Sequence, residues 1–588
     1  MMTPVSPDKP VRTVLVVALT RMGDIYELYP MVVSLTEKYP GCRVFLVAYR
    51  EFCHALGPLV RFSGIFPVDG PNLRSRIRSG ESPMSVYRSL ETLIRGLNEL
   101  DGDLLINLTP NRIGAVLGYV IRAREKKGLH MTPDGFRAHY GSWIAYLSTL
   151  VRNRLYNSLN LSDLFLKIGG VERDEIHSGL FIPQRAKDAV RQRLDEAGAG
   201  KRILAIATGA SADLKRWPPE EFAELIRILL EWEKDVHAIL LGSGPEDALR
   251  NARISAVLSK MGPGLLRRVH DWTGKTTVDE LFALLELSEI LVSNDTGTMH
   301  AAALLRTPVV CLSFANLFYP ETGPASPGNV VVYSLAPCSP CATDSRCTDP
   351  VCRKDLEPAS LARIIHCRMA FPKVPDKNDM RRLLHRLSGL LAVGRSDLAV
   401  ATIDAWGDIR FRSLGPGERT PEAFYRRVYE WIWREEFEGR NGNREPFDVP
   451  VPEDAGNVLE CAEKIESFAM EALRGISDVR LCLGKGGGAG RVSEEILVRF
   501  EQIDTFFEEA AWSCPPVGPL VVFFQMEKES IDIWDPFEME QLVGRTEETY
   551  TNLLRRVRLF MIVVRESGPR SLNETPDRST LVLAVPVL

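Results

Sequence analysis

Two stretches of the chain repeat one pattern of apolar and polar positions: a short unbroken apolar run, a polar turn, a long amphipathic run, then another apolar run. In the first, "TVLVVAL" is a continuous β-branched run, as a strand covered on both faces of a parallel sheet requires. It leads through "TRMGDIYELYPMVVSLTEKYPG", a loop and a helix closed by Pro40 and Gly41, to a second strand in "RVFLVAY". That is a βαβ unit, and "DLLINLTPN" from Asp103 repeats the strand-to-polar-turn motif. The second stretch begins near Lys201. "RILAIATGAS", "VHAILLGSGPED", "ILVSNDTG" and "PVVCLSF" read as strands, with helices in "PPEEFAELIRILLEWEK" and "TVDELFALLELSE" between them. The alternation, met twice, predicts an α/β fold of two facing doubly wound, Rossmann-like domains whose chemistry lies at the carboxyl ends of the strands. The expected boundaries are 1–178 and 179–372, with a linker around Ser178 to Gly200, "FIPQRAKDAVRQRLDEAGAG" marking the join.

After about Pro372 the pattern turns helical, so 373–588 is expected to be a mainly helical appended region. "TPEAFYRRVYEWIWREEF" has Thr420 as N-cap, Pro421 at the first position, and apolar residues Phe424, Tyr425, Val428, Tyr429 and Ile432 at helical spacing. "EMEQLVGRTEETYTNLLRRVRLFMIVV" is a long helix whose Arg555, Arg556 and Arg558 flank an apolar end. Packing in a core is favoured there over lying on a membrane surface. The glycines of "LCLGKGGGAGRVSEE" lack the Lys-Ser/Thr ending and spacing of a phosphate-binding loop and read as a loop only.

Composition narrows the classes. With 72 basic and 77 acidic residues, the chain has no excess of positive charge to attract nucleic acid. Apolar runs stay short of the roughly 18 to 20 residues of a membrane span, and the polar, proline-containing "MMTPVSPDKPVRT" does not resemble a secretory signal. A cytoplasmic address is expected. Eleven cysteines in 588 residues do not make a disulfide framework. Four of them, Cys338, Cys341, Cys347 and Cys352, nevertheless form a C-x2-C-x5-C-x4-C array among turn-forming residues. They could surround a tetrahedral zinc or iron of structural role, since four protein ligands leave no open position; reduced thiols in a loop, or a reversible disulfide, remain the alternatives.

The densest chemistry is in "SNDTGTMHAAAL", residues 293 to 304, where an apolar strand reaches a glycine turn and a helix expected to open at about His300. Such a junction leaves backbone N–H groups unpaired and suits an anion; the plainer alternative is a turn capped by Asp295 or Thr296.

Several motifs then occur in one order: "VLVVALTRMGDIYELYP", "TGASADLKRWPPEEFAELIRILL", "LLGSGPED", "DWTGKTTVDELFALLELSEILVSNDTGTMHAAALLRTPVVCLSF" and "YPETGPAS". In this order they resemble glycosyltransferase family 9, the ADP-heptose:lipopolysaccharide heptosyltransferase family of the GT-B fold, over about residues 12 to 370. The resemblance implies an inverting glycosyl transfer without a catalytic metal. It makes Asp24 the base that takes the acceptor hydroxyl's proton and Lys215 the cation on the donor diphosphate, with Ser211 a hydroxyl for the same phosphates. On local sequence alone, capping of the following helix is favoured for Asp24, and Lys215 could be a solvated lysine ahead of a helix. The resemblance also places Asp295, Thr296, Gly297, Met299 and His300 at the donor, Asp295 toward the sugar hydroxyls, and Gly242 and Gly244 beside the nucleotide base. His300 either nears the phosphates or packs as a neutral residue. Thr298 stands where most relatives have proline, which should loosen the turn.

The implied partners are a nucleotide-sugar donor, ADP-heptose first, and a lipid-linked saccharide acceptor of the lipopolysaccharide inner core, with a peripheral contact at the inner membrane's cytoplasmic face. No cofactor is expected for catalysis. Cysteine-containing loops, some iron-holding, occur in parts of the family. A protein-directed glycosyltransferase and a non-catalytic, nucleotide-sensing GT-B relative are the alternatives, and the presence of both Asp24 and Lys215 weighs against the second.

Overall fold

Each apolar run becomes a strand with both faces covered: Val14 to Val17 and Ile290 to Val292 have no solvent exposure. The structure, a computed structural model, describes residues 10–173, 179–200, 202–262, 264–342, 346–390, 395–439, 449–484, 494–531 and 539–567. The chain divides into two units, Met1–Glu418 with Gln525–Pro536, and Arg419–Phe524 with Phe537–Leu588.

The first unit holds two sheets. One consists of β1 (Thr13–Val17), β2 (Arg43–Tyr49), β3 (Phe62–Val68), β4 (Gly102–Asn107), β5 (Ala123–Met131) and β6 (Arg137–Tyr140), in the order β3-β2-β1-β4-β5-β6. All its pairs are parallel except β5 with β6. The other consists of β7 (Arg202–Ala207), β8 (Val236–Leu241), β9 (Val269–Asp271), β10 (Ile290–Asn294), β11 (Val309–Ser313), β12 (Val330–Ser334), β13 (Ser396–Ile403) and β14 (Ile409–Ser413), ordered β14-β13-β12-β11-β10-β7-β8-β9. It is parallel from β9 to β12, and β13 and β14 join antiparallel at one edge.

The helices around these sheets include α1 (Met22–Lys38), α2 (Gln184–Glu196), α3 (Pro219–Trp232), α4 (Pro245–Met261), α5 (Val278–Leu287) and α6 (Gly297–Leu304), the last two on either side of β10 in the chain. Two expectations change. The stretch read as a linker forms α2, which buries Ala186, Val190 and Leu194 and packs on α5; their i, i+4, i+8 spacing puts them on one helical face. The second sheet also runs past Pro372. "SDLAVATI" forms β13, whose Leu398 and Val400 join the core with Leu312 and Val330. An apolar strand covered on both faces and set in a helical region carries little periodic signal.

The second unit is helical: α7 (Pro421–Glu438), α8 (Ala455–Gly484), α9 (Glu494–Ser513) and α10 (Met539–Glu566). Thr420 caps α7, its hydroxyl accepting the Ala423 N–H at 3.2 Å, and Phe424, Tyr425, Val428, Tyr429 and Ile432 are buried as the spacing predicts. The α10 arginines meet acids of neighbouring helices, Arg555 and Arg556 on Glu436 and Arg558 on Glu466 at 2.7 Å, which is the core packing favoured from sequence. Residues 485–493 of the glycine-rich stretch lie outside the described residues. Among the described residues, no helix is long and apolar enough to cross a membrane.

Candidate active site

Strand order reverses once in each parallel region: between β1 and β4 in the first sheet, and between β10 and β7 in the second. The loops leaving neighbouring strands diverge at such a point, which opens a crevice where doubly wound folds bind ligands. Here the loops after β1, β7, β8 and β10 line one cavity of about 1330 Å³. Its walls include Asp24, Ser211, Lys215, Gly242, Asp295 and His300.

The loops after β7 and β10 are tied together by a residue that sequence reading did not single out. Asn294, fully buried at the end of β10, donates its side-chain N–H groups to the carbonyls of Thr208 and Gly209 at 2.9 and 3.1 Å. Its carbonyl accepts the Trp217 N–H at 3.2 Å. Trp217 is fully buried and packs edge-on against Phe222. The short helical turn Asp213–Lys215 is thus held between two anchors, and Lys215 Nζ donates to Asp295 Oδ2 at 3.0 Å. The pair is mostly buried, with side-chain exposures of 13% and 18%.

The helix α6 opens at Gly297, three residues before the expected start, and its N-cap is Thr296, whose hydroxyl accepts the Met299 N–H at 3.3 Å. A Cβ at Gly297 would stand 2.3 Å from Met22 Cε, so the glycine lets α6 meet the start of α1. The "GD" turn is explained the same way: a Cβ at Gly23 would lie 2.9 Å from the His300 ring.

Asp24 takes the capping role the sequence left open and also stands in the cleft wall. It accepts the Arg21 N–H at 3.1 Å in the first turn of α1, and it lines the cleft. Burial pushes its carboxyl above the ordinary value; the Arg21 N–H opposes this, Asp295 adds to it, and Arg21 and Lys215 offset part. A carboxylate so raised is a better proton acceptor than a solvated one. One turn on, Glu27 also faces the cleft and is raised well above the usual range, first by burial and then by Asp24, Asp295 and Glu321. His300 packs as the neutral residue of the second expectation: it is buried and held down to about 4 mainly by that burial, and its ring borders the cavity.

Ser211 is exposed on the opposite wall, where its hydroxyl accepts from Arg21 Nη1 at 3.4 Å. Gly244 caps α4, and Gly242 leaves room for Asp247, whose Oδ2 accepts the Ser243 N–H at 3.0 Å. A Cβ at Gly242 would be 2.5 Å from the Asp247 side chain. Met299 departs from the expectation. Its side chain has no exposure and is not in the cavity wall, because α6 turns that face into the core. Arg21 and Glu27 in the cavity wall, and Asn294 behind it, were not anticipated. For Glu27 a signal existed, an acid three residues after Asp24 on an otherwise apolar helical face.

The four clustered cysteines are neighbours: burial raises the Cys341 thiol, and Cys338, Cys352 and Cys347 raise it further. Among the described residues, however, no three His, Cys, Asp or Glu side chains stand where one ion could be held. As placed, the thiols do not form the tetrahedral site that their spacing suggests.

The chain is similar to several known heptosyltransferases. The chain is similar to lipopolysaccharide heptosyltransferase 3 of Escherichia coli, 23% identical over 291 residues, which is 49% of this chain and 80% of that one. It is similar to lipooligosaccharide heptosyltransferase 2 of Campylobacter jejuni, 27% identical over 165 residues, 27% of this chain and 48% of that one. The solved structure of E. coli ADP-heptose lipopolysaccharide heptosyltransferase II aligns over 61% of this chain and 98% of its own, at 17% identity and a TM-score of 0.44. The family model for glycosyltransferase family 9 (heptosyltransferase) matches residues 91–351, so the chain carries a domain of that family.

Proposed function

We propose that the protein is an inverting glycosyltransferase that moves a heptose from ADP-heptose to a hydroxyl of the lipopolysaccharide inner core. The observation that carries this reading is the placement of half-buried Asp24 on one wall of the cleft, close enough to the Asp295–Lys215 pair for its carboxyl to respond to both. In the proposed step the acceptor oxygen forms a bond to the anomeric carbon, and the bond from that carbon to the donor's phosphate oxygen breaks. ADP leaves with the electron pair, and the acceptor proton passes to Asp24. Attack opposite the leaving group inverts the anomeric centre. Lys215 and the start of α6 offset charge on the departing diphosphate, while Asp295 orients the sugar hydroxyls.

The names of the relatives support the donor and acceptor classes, and the act would take place at the cytoplasmic face of the inner membrane. No step is assigned to a metal. A structural zinc or iron would require the four thiols to draw together. About one equivalent in protein purified without chelator supports that; less than about a tenth rejects it.

The functional test is incubation with ADP-heptose and a heptose-deficient core lipopolysaccharide. The expected result is a mass gain of one heptose on the acceptor, with an inverted anomeric centre by NMR, and its loss in Asp24→Asn. A retained configuration, or undiminished transfer by Asp24→Asn, contradicts the mechanism.

A further inference from the structure

Among the described residues, Glu27 is the acidic side chain with both carboxyl oxygens buried and without a hydrogen-bond partner. A buried, unsatisfied carboxyl is costly, and apolar residues of similar volume serve packing better. Glu27 lies in the wall of the cleft, one turn after Asp24, so its retention there calls for a role.

Its neighbours suggest the role. Glu27 Oε1 is 3.7 Å from His300 Nδ1, and His300 Nε2 is 3.8 Å from Asp295 Oδ1. Asp295 Oδ2 accepts from Lys215. Four side chains thus stand in line, Glu27, His300, Asp295 and Lys215, with the imidazole flanked by an acid at each nitrogen. A neutral imidazole has one N–H, and its tautomer decides which neighbour receives it. With the proton on Nε2, the ring faces Asp295 as a donor and presents the Nδ1 lone pair to Glu27. With the proton on Nδ1, a lone pair faces the Asp295 carboxylate, two acceptors opposed. The first arrangement is complete only if Glu27 supplies a donor to Nδ1, which a carboxylic acid can do and a carboxylate cannot.

We propose that Glu27 is a positioning residue: as a carboxylic acid it donates to His300 Nδ1, fixes the Nε2–H tautomer, and so holds Asp295 with one oxygen toward the ring and the other on Lys215. The inference rests on the functional reading above, since it is the donor that Asp295 and Lys215 would hold. The two acid-to-ring separations exceed a hydrogen bond by about half an ångström, the looseness usual in sites that tighten around their complex. Burial and the nearby Asp24, Asp295 and Glu321 all favour the protonated form of Glu27. The ring itself is fixed from behind by the close approach of Gly23.

The test reads the tautomer directly, by solid-state nitrogen NMR of the full-length protein labelled at histidine, with His300→Gln identifying the His300 signals. The expected wild-type spectrum has His300 protonated at Nε2 and bare at Nδ1. In Glu27→Leu the two tautomers should mix, and kcat should fall about tenfold with KM for the donor within about twofold, as for other residues that orient a site group. Glu27→Gln keeps an N–H donor and should recover most of the loss. A wild-type Nδ1–H tautomer overturns the proposal by itself, even if Glu27→Leu does not fold. So does a Glu27→Leu protein whose tautomer and kcat match the wild type. Absence of transfer by the wild type would instead overturn the functional reading, leaving the NMR result to decide this one.

Discussion

The cleft and the helical unit treat buried carboxylates in opposite ways. In the helical unit Glu436, 4% exposed, meets Arg556, 2% exposed, at 3.0 Å and receives Arg555 as well, while the Arg556 guanidinium also lies over the Phe523 ring. In the cleft Asp24, Glu27 and Asp295 influence one another; among the described residues only Asp295 of the three has a cation at hydrogen-bond distance, and Glu27 has the His300 ring at 3.7 Å but no hydrogen bond. Buried charge matched by charge serves the fold; buried acids crowded together raise one another's proton affinity and serve chemistry. The helical unit therefore reads as packing, and the cleft as a site whose function comes at a cost in local stability.

The largest expected effect is at Asp24. Asp24→Ala should lower transfer by roughly a thousandfold, within the usual contribution of a positioned base, while calorimetry finds ADP affinity within a few-fold of wild type. Its raised proton affinity predicts that the acidic limb of the kcat/KM profile lies above the ordinary aspartate range, and no such limb should remain in the residual activity of Asp24→Asn. Next comes Lys215→Ala, expected to cost about a hundredfold in kcat/KM by removing charge at the leaving diphosphate.

The comparison itself is sharpened by a pair of variants. Glu436→Ala should destabilise the helical unit by about 3 kcal/mol in denaturant titration, because it leaves Arg556 buried without its acid. Glu27→Gln should not destabilise the first unit at neutral pH, since the amide keeps an N–H to offer His300 and removes a carboxyl that burial makes costly to ionise. Equal losses for the two would erase the distinction.

The smallest effects are in the pH dependence of stability, and they oppose each other. His300 is held at about 4 against about 6.5 when unfolded, so its contribution is complete above 6.5 and is lost as the pH falls through 4. Glu27 is raised above 4.5, so its contribution is complete below 4.5 and is lost as the pH rises through its folded value. His300→Gln should flatten the acid-side loss, and Glu27→Gln the loss on the other side, in melting curves taken across this range.

Much of this was legible in the chain. Continuous β-branched runs ending in polar turns predicted β1, β2, β4, β7, β8, β10 and β11, because a strand covered on both faces has to be apolar throughout. "SNDTG" and "KRWP" marked the loops that β10 and β7 send into the cleft. What stayed hidden depended on distance in space. Asn294 is a polar residue at a strand end until its three bonds to the β7 loop and Trp217 are seen. Met299 lies in the helix-start motif, yet the turn of α6 puts it in the core. The cysteine spacing suggested an ion, but the fold leaves the thiols near one another without converging on one point. The β13–β14 edge was lost in a region whose dominant period is helical.

The central claim is that the Asp295–Lys215 wall of the cleft holds a nucleoside diphosphate. Calorimetric titration of the full-length protein with ADP, UDP and GDP, repeated on Lys215→Ala, tests it most directly. The account predicts saturable binding that prefers ADP and weakens at least tenfold in the variant, the loss of about 1.4 kcal/mol expected for one charged phosphate contact. No binding of any of the three, or ADP binding indifferent to Lys215, would contradict it.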